Sequence, residues 1–307
     1  MNLPDFNIYK QDFLQQGITY PLKPVPTQQA GLLVKLPPPP AEKTGWPWTE
    51  QVSPDVYSKG INWPKLTIVT PSYNQGIYIE ETLRAVLLQN YPNLEYIIID
   101  GGSTDETKAI LEKYSGYISY WQSEKDRGQS HAINLGFSLA SGEYYAWINS
   151  DDFYMPGVFH EVISKFLSSK TAFIYGYAYD LRDGKNTLIR IPPSTDYFIK
   201  IPSLMQPSCF WRASIHQPIW EEMHCAMDYE LWLRLLKGNS RLRIRKPLSV
   251  ARAHADAKTY DPKMQARWQA DHERMWADDA HGSVPEWKRI TFLNKLRLKL
   301  YKFLHII

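Results

Sequence analysis

The sequence predicts an α/β fold: a mainly parallel central sheet flanked by helices, with an extended amino-terminal arm and carboxyl-terminal helices. Between about residues 65 and 155, short apolar runs that suit buried strands alternate with amphipathic helical periods, as in a parallel sheet. Eleven of the 22 prolines precede residue 65, which indicates an extended arm. We therefore predict an arm over 1–62, a main domain over 63–255 and a helical extension over 256–307.

Composition excludes several classes of protein. The chain of 307 residues is 44% hydrophobic and 22% charged, the balance of a globular protein rather than a disordered or collagen-like one. Its net charge of +3 is too small for a dedicated nucleic-acid binder, so no nucleic-acid partner is expected. Two cysteines without metal-type spacing, Cys209 and Cys225, exclude a disulfide framework and indicate inert thiols in a reducing compartment.

No export or membrane-spanning signal is visible. The first ten residues lack a basic stretch followed by an apolar one, so no signal peptide is expected. No window approaches the roughly 18 uninterrupted apolar residues of a transmembrane helix. We therefore expect a cytoplasmic protein, and the inner face of the membrane remains open as its place of action.

The proline-rich arm is predicted to lie against the main domain. The run Pro37 to Pro40 favours an extended polyproline conformation. Trp46, Trp48 and Trp63 argue against a disordered tail, because such large aromatic side chains find a surface to cover.

The main domain begins with alternating strands and helices. Strands are predicted over 66–70, 94–99, 117–122 and 143–148, each an apolar or β-branched run. Three helices are predicted in this part of the chain. The first contains the apolar face of Ile79, Leu83, Val86 and Leu87, the second begins at the capping residues 103–106, and the third spans 129–139.

After residue 155 the alternation weakens. Two extended runs, 173–180 and 186–191, flank Asp183-Gly184 and predict a hairpin. A helix is predicted over 226–236 and an extended segment over 241–250. We interpret this half as the acceptor side of the same domain.

Polar clusters follow each of the first four predicted strands. Because the carboxyl ends of parallel strands meet at one edge of the sheet, these clusters are expected to converge on one crevice. They are Thr70 to Asn74, Asp100 to Asp105, Glu124 to Gly128, and Asn149 to Asp152.

Six segments together resemble the inverting glycosyltransferases of family 2, which have the GT-A fold with a Rossmann-like sheet. The resemblance covers about residues 65–255. Its segments are TIVTPSYNQ (67–75), IIIDGGSTDET (97–107), SEKDRGQSHAINLGF (123–137), YAWINSDDFYMPG (145–157), QPSCFWR (206–212) and MDYELWLRLL (227–236). Glycine-rich phosphate loops of the GxGxxG or GxxxxGK[ST] type are absent from the sequence, so the resemblance is not to dinucleotide-binding or P-loop proteins.

The acids after the fourth strand are the predicted metal site. A carboxylate pair such as Asp151 and Asp152 suits a hard divalent cation, Mn²⁺ or Mg²⁺, that also binds a diphosphate. The resemblance adds His254 as a further metal ligand and places Asn149 at the first position of the family's Asp-x-Asp pattern, where it suits a ribose hydrogen bond. The alternative is that the two acids only cap the helix that follows.

The resemblance also implies a nucleotide-sugar pocket. It assigns recognition of the base to Asp100, whose carboxylate suits the imide N–H of uracil and so favours a UDP-sugar. Ser103 and Arg127 have open alternatives, a helix cap for the serine and a surface turn for the arginine. The remaining predicted binding residues are Thr70, Pro71, Ser72, Tyr73, Asp126, Asn149, Ser150 and Asp151.

Asp228 is the predicted catalytic base. It lies in the first turn of a predicted helix, where the helix dipole favours a carboxylate, and the resemblance places a general base at this helix start. The resemblance then implies a metal-dependent, inverting transfer of a sugar from a nucleotide-sugar to an acceptor hydroxyl, in polysaccharide or glycan synthesis. A non-catalytic sugar- or nucleotide-binding module is the alternative. A nucleotidyltransferase is less consistent with the sequence, because such enzymes usually carry a glycine-rich loop after the first strand and residues 71–74 do not form one.

The last predicted helix is amphipathic. Its apolar residues share one face at helical spacing, and lysines and an arginine lie elsewhere around the helix. Residues 288–307 therefore suit the surface of an anionic membrane, or else pack on this domain or on a second copy in a homodimer. The apolar residues are Phe292, Leu293, Leu296, Leu300, Phe303, Leu304 and Ile307.

Overall fold

The protein is built on a nine-stranded mixed sheet. A computed structural model describes residues 1–27, 29–57, 59–190, 204–255, 257–258, 262–277 and 284–304. The strands are β1 (Leu66–Ser72), β2 (Leu94–Asp100), β3 (Tyr120–Ser123), β4 (Tyr144–Trp147), β5 (Phe153–Tyr154), β6 (Phe173–Arg182), β7 (Lys185–Ile189), β8 (Cys209–Arg212) and β9 (Arg241–Ala253). The helices are α1 (Phe6–Gln15), α2 (Ile79–Leu87), α3 (Thr107–Tyr114), α4 (Gln129–Leu139), α5 (Val158–Leu167), α6 (Met227–Leu236), α7 (Gln265–Ala277) and α8 (Val284–Phe303).

The first four strands form the parallel half of the sheet. The order along the sheet is β3-β2-β1-β4-β8-β6-β9-β5, with β7 paired to β6. Strands β2 and β4 both pair in parallel with β1, and β3 pairs in parallel with β2. Every residue of β1, β2 and β4 is buried, because helices cover both faces of this part of the sheet. The predicted α/β class is confirmed.

Antiparallel strands extend the sheet beyond β4. Strand β8 pairs antiparallel with β4 and with β6, and β6 forms the predicted hairpin with β7. The long strand β9 pairs in parallel with β6 and antiparallel with β5, so that Val250 lies opposite Phe153. This pairing brings the end of β9 beside the loop that follows β4.

Several elements differ from the sequence prediction by a few residues, and the largest differences are in β3 and in the arm. Strand β3 begins at Tyr120 because a 3₁₀ turn, Ser115–Tyr117, occupies the start of the predicted strand. The arm is not extended throughout, since residues 6–15 form α1, whose first turn is capped by the Asp5 carboxylate through the Asn7 N–H at 2.9 Å. Residue 191, the end of the predicted hairpin, lies outside the described residues.

One buried arginine ties the arm to the domain. The Arg84 side chain on α2 is fully buried, and its guanidinium donates four hydrogen bonds of 2.7–3.0 Å. Three of the acceptors are backbone carbonyls of the arm, those of Pro37, Pro47 and Trp48, and the fourth is the Tyr114 hydroxyl. The planar, five-donor guanidinium is suited to join several acceptors at once.

The carboxyl-terminal helices have different relations to the domain. Asp271 of α7 is buried and fixes the segment before α6, as described below. Helix α8 instead leaves apolar side chains exposed at Phe292, Leu296, Leu300, Phe303 and Leu304. Among the described helices, none is both long and apolar enough to cross a membrane. Ile307, which was predicted to share the apolar face, lies outside the described part of the chain.

Candidate active site

A cavity of about 990 Å³ lies at the carboxyl ends of β1, β2 and β4. Its walls come from the loops after these strands, from the loop after β3, and from the start of α6 and the end of β9. The predicted site residues that line it are Pro71, Ser72, Tyr73, Asp126, Asn149, Ser150, Asp151, Asp152 and Asp228. The structure thus gathers nine of the predicted residues, drawn from across more than 150 positions of the chain, around one space.

The loop after β4 is held from two sides. On one side, the hydroxyl of Thr82 in α2 donates to the carbonyls of Ser150 and Asp152. On the other, the Arg252 guanidinium donates to the Asp151 carbonyl and forms an ion pair with Glu81 at 2.7 Å. These contacts fix the backbone from which the two acids project.

Asp151 and His254 form the pair best suited to a metal. The Asp151 Oδ2 lies 3.0 Å from the His254 Nε2, and the ring of His254 lies 4.8 Å from that of Tyr78. A carboxylate and an imidazole together suit Mn²⁺ and related ions. Within the described ranges, no group of three or more His, Cys, Asp or Glu side chains is arranged to hold a metal. Asp151 and His254 are therefore candidate ligands only, two in number in the described structure.

Asp152 faces a different environment from its neighbour. It is buried, and its Oδ1 accepts a hydrogen bond of 2.9 Å from the Arg252 N–H. Burial, followed by the charge of Asp151, raises the pKa of Asp152 well above its usual value. The hydrogen bond between Asp152 and the Arg252 N–H joins the loop to β9, whereas Asp151 is the acid that contacts His254.

Asp228 stands at the start of α6 and lines the same cavity as Asp151. Burial raises its pKa to about 6, while the N–H groups of the first helical turn act in the opposite direction. A carboxyl with a pKa near the working pH is suited to take up a proton during a reaction.

The approach to α6 is fixed by the carboxyl-terminal extension. One oxygen of the buried Asp271 accepts hydrogen bonds from the backbone N–H groups of His224, Cys225 and Ala226 at 2.6–3.0 Å. These three residues directly precede α6, so Asp271 sets the position from which Asp228 enters the cavity.

Four predicted nucleotide-binding residues lie outside the cavity wall, three of them in or directly after β1 and β2 and the fourth, Arg127, in the loop after β3. Thr70 is buried, with its hydroxyl 3.1 Å from that of Tyr96. Asp100 is fully buried, and Ser103 donates to it through both its N–H and its hydroxyl. Among the described residues around the cavity, none of the three is part of the lining.

Asp126 and Arg127 of the predicted loop 126–128 contact different parts of the structure. Asp126 lines the cavity, whereas Arg127 is exposed and donates to Glu221 and to the Tyr9 hydroxyl, both at 2.7 Å. Arg127 thus joins the loop to the arm helix α1, and in the described structure it does not line the cavity.

Sequence reasoning missed two glutamines that organise the site. Gln129 donates to the Asn149 Oδ1 and accepts from the Lys258 ammonium, both at 2.8 Å, and Gln206 donates to the Trp147 carbonyl. Gln206 lies in the family-like segment QPSCFWR, which was the available signal. Lys258, which also lines the cavity, has a pKa lowered by burial.

The strand ends of the sheet thus surround a cavity lined by Asp151 and by the helix-start carboxylate of Asp228, while His254, a predicted metal ligand, contacts Asp151 without being part of the lining. Residues 67–213, just under half of the chain, match the family described as Glycosyl transferase family 2. The chain is 34% identical over 143 residues to the putative teichuronic acid biosynthesis glycosyltransferase TuaG of Bacillus subtilis. That match covers 44% of this chain and 57% of the relative, so the chain matches little more than half of that protein.

Solved structures support the fold. TarS 1–349 of S. aureus in complex with UDP-GlcNAc superposes with a TM-score of 0.55 at 17% identity, covering 70% of this chain and 67% of that chain. The mannosyltransferase PcManGT from Pyrobaculum calidifontis, in complex with GDP-Man and Mn²⁺, gives a TM-score of 0.53 at 15% identity, covering 93% of this chain and 75% of that one. At such identities the likeness establishes the GT-A fold alone. With the family match, it makes this protein a glycosyltransferase.

Proposed function

We propose that the protein is a metal-dependent, inverting glycosyltransferase. It moves a sugar from a UDP-sugar to a hydroxyl of a glycan or lipid-linked glycan during polysaccharide synthesis in the cytoplasm. The observation that carries the proposal is the single cavity lined by both Asp151, paired with His254, and Asp228. The relatives support its parts, since one is named for teichuronic acid biosynthesis and two neighbours bind UDP-GlcNAc or GDP-Man.

The donor diphosphate is assigned to the wall formed by the loop after β4. Asp151 and His254 would hold a divalent cation, with Asp152 at the base of the loop, and such a cation would also bind the diphosphate. When bound, the cation offsets the negative charge that grows on the departing diphosphate. Lys258 lines the same cavity and adds a positive charge for the phosphates. The metal-binding role is supported by the neighbour that holds Mn²⁺.

Asp228 acts on the acceptor. Its carboxylate removes the proton of the acceptor hydroxyl as that oxygen forms a bond to the anomeric carbon. The bond from the anomeric carbon to the phosphate oxygen breaks, and its electron pair leaves with the nucleoside diphosphate. Because attack comes from the face opposite the leaving group, an α-linked donor gives a β-linked product.

Replacing Asp151 with alanine is expected to remove the metal dependence of donor binding. In wild-type protein, calorimetry should give tighter UDP binding with Mn²⁺ than without, because the cation bridges protein and diphosphate. In Asp151→Ala the two affinities should become equal. Asp12→Ala, which removes an exposed carboxylate from α1, is the matched control and should keep the wild-type ratio. A wild-type protein that binds UDP equally with and without Mn²⁺ contradicts the proposed metal site.

Helix α8 is proposed to hold the enzyme at an anionic membrane surface. Its exposed apolar face adjoins exposed lysines at 295, 299 and 302, a combination that favours the interface of an anionic bilayer. A lipid-linked acceptor would be reached from this position.

Full-length protein is expected to float with phosphatidylserine-containing liposomes and to remain unbound with phosphatidylcholine alone. Leu296→Glu/Leu300→Glu should abolish flotation, because the new charges cannot enter the bilayer interface. Gln11→Glu/Gln15→Glu adds the same charge to the exposed face of α1 and should float normally. Unchanged flotation of the α8 variant contradicts membrane binding by this face. If the wild-type protein is a dimer and the α8 variant is a monomer, the apolar face of α8 packs against a second copy of the chain instead.

A further inference from the structure

Helix α1 of the arm packs on the domain through one face that carries aromatic side chains. Phe6, Tyr9 and Phe13 are three and four positions apart, so they lie on the same side of the helix. The ring centroid of Tyr9 lies 5.5 Å from that of His131 on α4, and the ring centroid of Phe13 lies 5.6 Å from that of Tyr120 on β3, both in edge-to-face contact. This face therefore places α1 against the two elements that flank the loop after β3.

Three side chains join in a closed ring of hydrogen bonds beside this face. The Tyr9 hydroxyl donates to Oε1 of Glu221 at 2.6 Å. One nitrogen of the Arg127 guanidinium donates both to the Tyr9 hydroxyl and to Oε2 of Glu221, each at 2.7 Å. Burial, followed by the hydrogen bond to Glu221, raises the pKa of Tyr9 to about 12, so its hydroxyl keeps its proton and remains a donor. We call these three residues the arm clamp.

The arm clamp connects three parts of the chain that are distant in sequence. Arg127 lies in the loop after β3, and its neighbours Asp126 and Gly128 line the cavity. Glu221 lies in the segment that leads to α6, and the third member belongs to α1. Of the three, only Arg127 falls within the segment that matches the family. The place of a cavity-lining loop thus depends on two residues that the rest of this chain supplies.

The hydrogen bonds inside the loop fix its shape. The Gly128 N–H donates to Oδ1 of Asp126 at 2.7 Å, and the Arg127 N–H donates to Nδ1 of His131 at 3.2 Å. These bonds form a turn at the start of α4. The long Arg127 side chain is exposed and would otherwise lose conformational freedom on being ordered. Its bonds to Tyr9 and Glu221 hold it against α1 and the segment before α6.

We propose that Tyr9 is a positioning residue for the sugar donor, because through the arm clamp it holds the loop after β3 in the position that binds the nucleotide-sugar. This inference rests on the proposed function and extends it to the arm. A loop that is already in place spares the ligand the cost of ordering it, so the apparent affinity follows the fraction of molecules with the loop in place. Once the donor is bound, the clamp lies away from the reacting atoms and the maximal rate is unaffected.

Tyr9→Phe tests the proposal, because it removes the hydroxyl and keeps the aromatic ring. It is expected to raise both the donor KM and the Kd of UDP with Mn²⁺ by about five- to tenfold, while kcat stays within about twofold of wild type. Hydrogen exchange over residues 124–128 should become faster. In an Arg127→Met background the same substitution should change the UDP affinity little, because the hydroxyl then has no loop side chain to hold.

The matched control is Tyr117→Phe in the full chain. It removes a hydroxyl that also joins the domain to the arm, by donating to the Lys35 carbonyl at 2.6 Å, and in the described structure neither residue lines the cavity. This control should keep the wild-type KM, UDP affinity and exchange rates over 124–128. An equal loss in the control overturns the proposal, because any loosening of the arm would then have the same effect.

The remaining outcomes separate the inference from the function on which it rests. An unchanged donor KM and UDP affinity in Tyr9→Phe, or a loss in kcat alone, overturns the positioning role while the glycosyltransferase proposal stands. Tighter UDP binding by Tyr9→Phe also overturns it, because α1 would then keep Arg127 away from the ligand. Wild-type protein that binds no UDP with Mn²⁺ overturns the proposed donor site, and the inference with it.

Discussion

Asp228→Asn is expected to lower kcat by about 10²–10⁴-fold, the range for loss of a general base, with donor affinity almost unchanged. Asparagine has nearly the same shape but takes up no proton, so the acceptor hydroxyl loses the group that activates it. Donor binding should persist because the proposed metal and phosphate contacts lie on other parts of the cavity wall. The fold should also persist, because burial raises the pKa of Asp228 to about 6 and so disfavours its charged form, which the amide avoids.

Three measurements together test this role. Release of nucleoside diphosphate gives the rate, calorimetry gives the donor affinity, and a pH profile reports the ionisation of the base. The control variant is Glu222→Gln, which changes an exposed acid just before α6 and should keep the wild-type rate. In wild-type protein, kcat/KM should fall about tenfold per pH unit below pH 6, because the base works only when ionised and a pKa of about 6 sets where it gains its proton. The residual rate of Asp228→Asn should lack this acid limb. A variant with wild-type kcat excludes Asp228 as the base, and a wild-type protein without turnover favours a binding module.

Arg84→Met is expected to lower the free energy of unfolding by about 3–5 kcal/mol, because several buried neutral acceptors lose their donor and each such loss costs about 1–3 kcal/mol. Methionine fills much of the space but donates no hydrogen bond, so the carbonyls of Pro37, Pro47 and Trp48 lose a buried donor. Because these carbonyls belong to the arm, the arm should loosen first, with faster hydrogen exchange over residues 29–57.

Urea unfolding followed by tryptophan fluorescence measures the change. Lys108→Met removes an exposed cation from α3 and should change stability by no more than about 0.5 kcal/mol. Arg84→Lys should fall between the two, since an ammonium has three donors and lacks the planar spread of a guanidinium. Equal stability of Arg84→Met and wild-type protein contradicts the anchoring role.

Much of the sheet could be predicted because its signal is local. The runs that form β1, β2 and β4 are apolar and bounded by polar turns, and α4 has the predicted bounds, Gln129–Leu139. Helix α1 escaped prediction because its apolar period is weak and proline composition dominated the interpretation of the arm. Its start depends on one capping acid, Asp5, which is a single-residue signal.

The site was less predictable because it depends on where side chains point. The sequence places Asp100 at a strand end, but the serines that donate hydrogen bonds to it, Ser103 and Ser123, become visible only in the folded structure. Arg127 was predicted to contact the nucleotide-sugar or to lie in a surface turn, and in the structure it contacts Glu221, 94 positions away. The meeting of Asp151 and His254 follows from the pairing of β5 with β9, a long-range contact that periodicity does not encode.

The hydrogen bonds from residues 224–226 to Asp271 have a consequence for any exchange of the carboxyl-terminal part of the chain. The family match ends at residue 213, so the amides that precede α6 and the carboxylate that binds them both lie downstream of it. A chimera that joins the first 213 residues to a foreign tail would inherit the loops after β1 to β4 but neither His254 nor Lys258. It would also need a replacement for the Asp271 carboxylate, because that group holds the segment from which the acid at the start of α6 enters the cavity. An exchanged tail therefore has to carry an equivalent of the Asp271 carboxylate if the segment before α6 is to keep its position.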